Sequence, residues 1–366
     1  MSITKEKVLE ALGNVIDPDL GKDLVTLNMI ENISIEGKKV AFTVNLTTPA
    51  CPMKDEIRHA CINAVKHLVD SEAEVEPEMS SKVQAGRGQA KREETDTLSG
   101  VKNIIAVASG KGGVGKSTVS VNLAVSLAKT GAKVGIVDTD IYGPSIPTMF
   151  NVRERPNINT QRKLIPLEKY GVKLLSMGLL VDQDQAVVWR GPMVSSAVKQ
   201  FLSEAEWGEL DYLIMDLPPG TGDIQLTIVQ TVPLTGAVIV STPQDVALDD
   251  ARKGVAMFQK VNVPVLGIVE NMAFFTPPDA PEKRYHIFGR DGARNLAARL
   301  EVPFLGEVPL QQTVREGSDS GMPVTAGDEN SPASEAFHQI AKKTAQQISI
   351  RNANMDPTEK IEIKFR

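Results

Sequence analysis

Five apolar residues, Ile104 to Ala108, lead through Ser109 into Gly110-Lys111-Gly112-Gly113-Val114-Gly115-Lys116-Ser117-Thr118, and a helical pattern from Val119 to Lys129 follows. A strand, a glycine loop and a helix, in that order, is the setting in which the spacing Gly-x4-Gly-Lys-Ser binds a polyphosphate. The glycines let the backbone turn its N–H groups inward around phosphate oxygens, and the helix N-terminus adds partial positive charge. Residues 110–118 are therefore expected to cradle the β- and γ-phosphates of ATP. Lys116 would neutralise phosphate charge, and Ser117 would offer its hydroxyl to Mg²⁺.

Two aspartate elements belong with this loop. Val137-Asp138-Thr139-Asp140 closes one apolar run, and Tyr212-Leu213-Ile214-Met215-Asp216 closes another. Carboxylates at the C-terminal edge of a parallel sheet face its ligand. Asp216 has the Walker B pattern and is expected to hold Mg²⁺ through water. Asp138 would support the metal shell, and Asp140 would orient or activate the attacking water. The turn Leu217-Pro218-Pro219-Gly220-Thr221-Gly222-Asp223 is expected to sense the γ-phosphate and to move on hydrolysis.

The 366 residues are enough for two domains. Residues 1–84 read as a small α+β domain. A helix spans Lys5 to Val15, a hairpin spans Ile33 to Leu46 about Glu36-Gly37, Pro52 opens a second helix, and Ala73 to Val83 returns as a strand. Residues 85–100 mix glycines with charges and read as a flexible linker. From residue 101 to 350, short apolar runs alternate with helices, which implies a mostly parallel sheet sandwiched by helices in an α/β domain. The last helix is expected from Ala333 to Ile350. Residues 351–366 form a polar tail with the brief alternation Ile361–Phe365. Aromatic residues make up 4%, so aliphatic side chains must build the core.

The net charge of -6, with no basic stripe, argues against a nucleic-acid partner. No apolar run approaches a membrane span, and Met1 to Leu12 has no signal-peptide core, so a cytoplasmic protein is expected. Two cysteines, Cys51 and Cys61, are too few for a disulfide framework. Cys51 precedes Pro52 and reads as a helix N-cap, a position that lowers a thiol's pKa. Cys61 shares a helical face with Ile57 and Leu68 and reads as buried and inert. His59, His67 and His286 do not cluster with acidic residues and read as surface or packing groups.

Lys111 beside the first glycine makes the loop resemble the deviant Walker A group, which contains the partition, septum-site and nitrogenase-iron proteins. That resemblance implies an ATP-sandwich homodimer in which Lys111 reaches the partner's nucleotide. Trp189-Arg190-Gly191-Pro192-Met193, Asp216–Asp223, Val269-Glu270-Asn271-Met272 and Asp319-Ser320-Gly321-Met322-Pro323 narrow it to the Mrp/ApbC iron–sulfur cluster carriers, over residues 101 to about 345. Asp17-Pro18-Asp19 with Thr47-Thr48-Pro49-Ala50-Cys51-Pro52 is similar to the MIP18-like domain. The resemblance implies that Asn271 touches adenine, that the segment after Pro309 lines the base pocket, and that an iron–sulfur cluster is the cargo. Partners would be apoprotein clients and iron–sulfur assembly proteins.

One departure concerns that cargo. Most family members carry Cys-x-x-Cys just after Glu-Asn-Met, whereas this chain reads Ala273-Phe274-Phe275-Thr276-Pro277-Pro278. A [4Fe-4S] cluster takes four thiolates, and the ATPase region has none. Cys51 is then the candidate ligand, together with the equivalent residue of a partner subunit. The leading reading is an ATP-hydrolysing carrier that transfers clusters to apoproteins. The alternative is a partition- or septum-site-like positioning ATPase. Its membrane-binding members need a C-terminal basic amphipathic helix, which Pro357 and Ile361–Phe365 do not supply. A nitrogenase-reductase-like redox protein would need paired cysteines in the ATPase region.

Overall fold

A computed structural model describes residues 3–85, 98, 100–141, 143–180 and 191–355. Nearly all of the expected linker, Trp189 and Arg190, and the alternation Ile361–Phe365 lie outside the described residues.

The N-terminal part contains α1 (Lys5–Leu12), β1 (Ile30–Glu36), β2 (Lys39–Leu46), α2 (Lys54–Leu68) and β3 (Glu74–Ser81). β1 and β2 form the expected hairpin, with Glu36 opposite Lys39, and β3 runs parallel to β2. Ile57, Cys61 and Val65 recur every four residues on α2, so they share one face. They pack with Val8 and Leu12 of α1 and with Phe42 of β2.

The second part begins with β4 (Val101–Ala108), α3 (Lys116–Lys129), β5 (Val134–Asp138), α4 (Ile146–Met149), β6 (Leu167–Lys169) and β7 (Val172–Ser176). It continues through α5 (Gly191–Ser203), β8 (Leu210–Asp216), α6 (Asp223–Thr231), β9 (Gly236–Ser241), α7 (Asp245–Lys260) and β10 (Val265–Glu270). Last come α8 (Gly292–Arg299), β11 (Phe304–Glu307), α9 (Gln312–Ser320), α10 (Val324–Gly327) and α11 (Pro332–Asn354). These eight strands lie in the order β11-β10-β9-β4-β8-β5-β7-β6. The pairings are parallel except at β6–β7.

Side chains alternate across a strand, and this divides the core in two. Ile105 and Val107 pack with Leu123 of α3 and Phe337 of α11. Ile104 and Ala106 pack with Phe201 of α5, Phe258 of α7 and Leu296 of α8. Both faces are therefore covered, which is the three-layer α/β architecture that the apolar runs predict. β4 sits at the centre, so the loop that follows it opens at the middle of the sheet edge.

Several element boundaries differ from the expectation: α1 ends at Leu12 and not Val15, and α2 begins at Lys54 and not Pro52. α11 runs on to Asn354 because Arg351 and Asn352 are buried. The Asn352 amide donates to Asn103 Oδ1 at 2.9 Å and to the Gln84 carbonyl at 3.1 Å. The N-terminal part also packs directly on the sheet. Ala50 and Val83 are buried in the same cluster as Ile105. The Thr48 hydroxyl meets the Tyr212 hydroxyl at 3.0 Å, and the Gln346 amide donates to Asp19 Oδ1 at 2.6 Å.

Candidate nucleotide-binding site

The loop between β4 and α3 brings the expected phosphate ligands to one point. Lys116, the first residue of α3, is 6% exposed, and its ammonium lies 2.7 Å from Asp216 Oδ2 at the end of β8. The Ser117 hydroxyl donates to the same oxygen at 2.6 Å. Ser120, one turn further along α3, donates to Asp216 Oδ1 at 2.6 Å. Nothing in the motif spacing singles out Ser120; an inward hydroxyl four residues after the lysine is the signal that could have found it.

Asp138, at the end of the adjacent strand β5, is fully buried. Its Oδ2 accepts the Ser176 hydroxyl at 3.0 Å and its Oδ1 accepts the Asp140 N–H at 3.1 Å. Burial pushes its carboxyl well up, and the negative charge of Asp216 pushes it further. A divalent cation between two such carboxylates would relieve that repulsion. With the Ser117 hydroxyl the donors are all oxygens, the set that Mg²⁺ takes. Asp140 is 8% exposed, and its Oδ1 accepts the Gly143 N–H at 3.2 Å, closing the turn after β5. Thr139 donates from both its N–H and its hydroxyl to the Asp216 carbonyl, and so ties β5 to β8 at their ends.

The loop is shaped by close approaches. Gly110 faces the backbone of Asp250 on α7, where a Cβ would lie 2.3 Å from the Asp250 carbonyl carbon. Gly115 is left-handed (φ 82°), and a Cβ there would lie 2.1 Å from Asn271 Nδ2. That Asn271 amide donates to the Val114 carbonyl at 2.8 Å. Val114 is buried, Lys111 and Thr118 are half-buried, and Gly112 and Gly113 are exposed. The Lys111 carbonyl accepts the Ser109 hydroxyl at 2.9 Å, and the Ser109 carbonyl accepts the Gly220 N–H at 3.0 Å. The turn 217–223 is thus bonded to the root of the phosphate loop. A cavity of about 230 Å³ opens beside the loop, lined by Thr118, Asn271, Met272, Pro309, Val314 and Arg315.

Known proteins match this chain over both parts. Residues 100–345 match the model of the NUBPL iron-transfer P-loop NTPases, and residues 5–76 match that of an iron–sulfur cluster assembly protein. This chain belongs to the NUBPL iron-transfer P-loop NTPase family. An iron–sulfur cluster carrier protein of Synechocystis is 49% identical over 352 residues, covering 95% of this chain and 99% of the relative. The iron–sulfur cluster transfer protein NUBPL of Dictyostelium discoideum is 50% identical over 278 residues, covering 75% of this chain and 86% of the relative. Among solved structures, an Archaeoglobus fulgidus nucleotide-binding protein in complex with ADP is 39% identical, with a TM-score of 0.57 over 66% of this chain and 93% of that one.

Within this member of the NUBPL family Cys51 departs from the sequence expectation, whereas Cys61 is buried as expected. α2 begins at Lys54 with Met53 at its N-cap, so Cys51 lies two residues ahead of the cap and is not one itself. Its thiol is pushed up to about 11, first by burial and then by the carboxylates of Asp19 and Asp17. Burial above all, with Asp19 and Asp17, outweighs the N–H of Met53 at the helix start and the charge of Lys54, which pull this pKa down. Asp17 itself is a turn former, with Oδ1 accepting the N–H groups of Asp19 and Leu20. Cys61 is fully buried, and its thiol is pushed up to about 12. His286 Nδ1 donates to the Ala273 carbonyl (3.2 Å), and the ring packs edge-on to Phe274. Among the described residues, no group of three His, Cys, Asp or Glu could hold a metal ion. Among them, too, no helix is long and apolar enough to cross a membrane.

Proposed function

We propose that this chain is a cytoplasmic ATPase that carries iron–sulfur clusters and transfers them to apoproteins, working as a homodimer with a nucleotide in each subunit. The observation that carries this reading is the convergence of Lys116, Ser117 and Asp216 at the mouth of a glycine loop, in a chain that is 49% identical to a named carrier along 95% of its length.

Residues 110–118 bind the triphosphate, with Lys116 against the β- and γ-phosphates. Ser117, Asp216 and Asp138 would hold Mg²⁺, which supplies charge neutralisation at the phosphates. Asp140 orients the attacking water, and Lys111 acts on the partner's nucleotide. Asn271 spends one amide N–H on the phosphate loop, which leaves its second N–H and Oδ1 for the base. The Gly220–Ser109 bond gives the turn 217–223 a direct route from the γ-phosphate end of the loop to α6.

The cluster is cargo. Both cysteines precede the ATPase region, and Cys61 is sealed in the core, so Cys51 is the thiol that can reach a cluster, with its counterpart in a second subunit. A [4Fe-4S] cargo would take its remaining ligands from outside these two thiols. Anaerobic reconstitution with iron and sulfide, followed by transfer to an apo-ferredoxin, tests the role. Wild type should bind and pass on the cluster, and Cys51→Ala should not. Equal cluster content in both proteins would reject the Cys51 assignment, and no transfer from wild type would reject the carrier role.

A further inference from the structure

The chain leaves β10 through Glu270-Asn271-Met272, and the function above uses only the asparagine. Glu270 is a carboxylate 1% exposed at the ligand edge of the sheet. Its Oε2 accepts the N–H of Ala293, 23 residues further on, at 2.6 Å. Ala293 lies in the first turn of α8.

That helix has no cap of its own. Asp291, at the N-cap position, is left-handed (φ 55°), and its side chain makes no capping bond. Its carboxylate is drawn to Arg290 and Arg294 instead. A helix start is usually served by the residue just before it. Here the strand end supplies the acceptor, and a negative charge there also suits the helix dipole.

The backbone of the same residue closes the other end of the intervening loop. The Val308 N–H donates to the Glu270 carbonyl at 2.8 Å, and the Ala273 N–H donates to the Val308 carbonyl at 3.0 Å. Residues 273–291 therefore leave from and return to Glu270. The next residue, Asn271, holds the Val114 carbonyl in the phosphate loop, and its N–H donates to the Ser241 carbonyl at 2.8 Å. Met272 is left-handed (φ 56°), so the chain turns directly after Asn271. The loop lines a neighbouring cavity and not the base cavity itself. That neighbouring cavity, lined by Phe274, Pro277, Arg284, Pro309 and Gln311, shares Pro309 and Gln311 with the base cavity.

We propose that Glu270 is a positioning residue for nucleotide binding: by capping α8 from the end of β10 it holds Asn271 against the phosphate loop and fixes residues 273–291 beside the base cavity. The inference rests on the ATP-binding reading above. A cap that only stabilised α8 would change the melting temperature and leave nucleotide affinity alone.

The test uses the full chain with a fluorescent ATP analogue for affinity, steady-state hydrolysis for kcat and KM, and thermal melts. Glu270→Ala should weaken nucleotide affinity and raise KM, each by about ten-fold, with kcat within about two-fold of wild type. Glu270→Gln, whose amide oxygen still accepts the Ala293 N–H, should stay within about three-fold of wild type in affinity. If Glu270→Ala does not fold, Glu270→Asp takes its place, since its carboxylate is one methylene short of the Ala293 N–H; the same loss of affinity is expected. Unchanged affinity in a folded variant, a loss confined to kcat, or a Gln variant as impaired as the Ala variant would overturn the proposal. A wild-type protein that binds no nucleotide would instead overturn the ATP-binding reading.

Discussion

The ammonium of Lys116 and the carboxylate of Asp216 form a buried ion pair, 2.7 Å apart, that joins the start of α3 to the end of β8. Removing one partner of such a pair leaves a buried charge unmatched and typically costs about 3–5 kcal/mol. Ser117 and Ser120 both donate to Asp216, which puts the expected cost at the lower end, about 3 kcal/mol. Lys116→Ala should therefore unfold at clearly lower urea and should show no MgATP uptake by calorimetry. Wild-type uptake of MgATP in that variant would break the assignment of Lys116 to the phosphates.

Lys111 presents a different case: among the described residues, its bond to the loop is the one its backbone carbonyl accepts from the Ser109 hydroxyl. If its ammonium serves the partner's nucleotide, Lys111→Ala should keep nucleotide affinity within about three-fold and lose kcat by about a hundred-fold. Equal losses of affinity and turnover would place Lys111 on its own subunit's nucleotide.

The contact between Thr48 and Tyr212 ties the N-terminal part to the strand that ends in Asp216. Both hydroxyls are buried, and each is the other's partner at 3.0 Å. Tyr212→Phe removes that bond while Thr48 still accepts the Ala50 N–H at 3.1 Å. The expected cost is about 1 kcal/mol, together with faster proteolysis between the two parts. No change in either quantity would mean that apolar packing at Ala50 and Val83 sets the docking.

The sheet, its order of strand and helix, and the phosphate loop were legible because they rest on local patterns: apolar runs of strand length and a glycine spacing with one geometry. Asp138, Asp216 and Ser117 could be named for the same reason. Long-range partners could not. Ser120 reaching Asp216, Glu270 capping a helix beyond residues 271–291, and Gln346 meeting Asp19 each need the fold before the two residues become neighbours. Cys51 shows how a local rule fails. Its position just ahead of a helix predicts a low pKa, but burial of the thiol raises it, and Asp19 and Asp17 add to that from a turn distant in sequence.

That environment makes Cys51 slow to react. With its thiol near 11, the thiolate fraction at pH 8 is about one in a thousand, so alkylation by iodoacetamide should run roughly a hundred-fold slower than for an open thiol. The rate should climb about ten-fold per pH unit up to pH 10. The sign for stability follows from the same shift. The folded chain holds this proton more tightly than the unfolded one, so the contribution is fully present below the usual thiol pKa and is lost as pH rises toward 11. Mass spectrometry of timed alkylation reads the first effect, with fully buried Cys61 as the unreactive reference. Rapid labelling of Cys51 at pH 7 would contradict the docked arrangement of its loop.

Gly115 and Asn271 compete for one space. A Cβ on residue 115 would lie 2.1 Å from Asn271 Nδ2, and its φ of 82° is one that alanine adopts at a cost of about 1–2 kcal/mol. Gly115→Ala therefore carries two penalties, backbone strain and the expulsion of the amide that holds the Val114 carbonyl. Asn271→Ala alone carries the loss of that hydrogen bond, about 1 kcal/mol, and of the base contact proposed for its side chain. In the double variant the collision is gone, because the amide that caused it is gone. What remains is the strain and the loss of the asparagine's own contacts, which expulsion of the amide already removes in Gly115→Ala. The losses in MgATP affinity should then be strongly non-additive, with the double variant about as impaired as Gly115→Ala by itself. A double-mutant cycle by calorimetry measures this directly. Additive losses would show that the two side chains do not share the space, and that the asparagine does not hold the phosphate loop in shape.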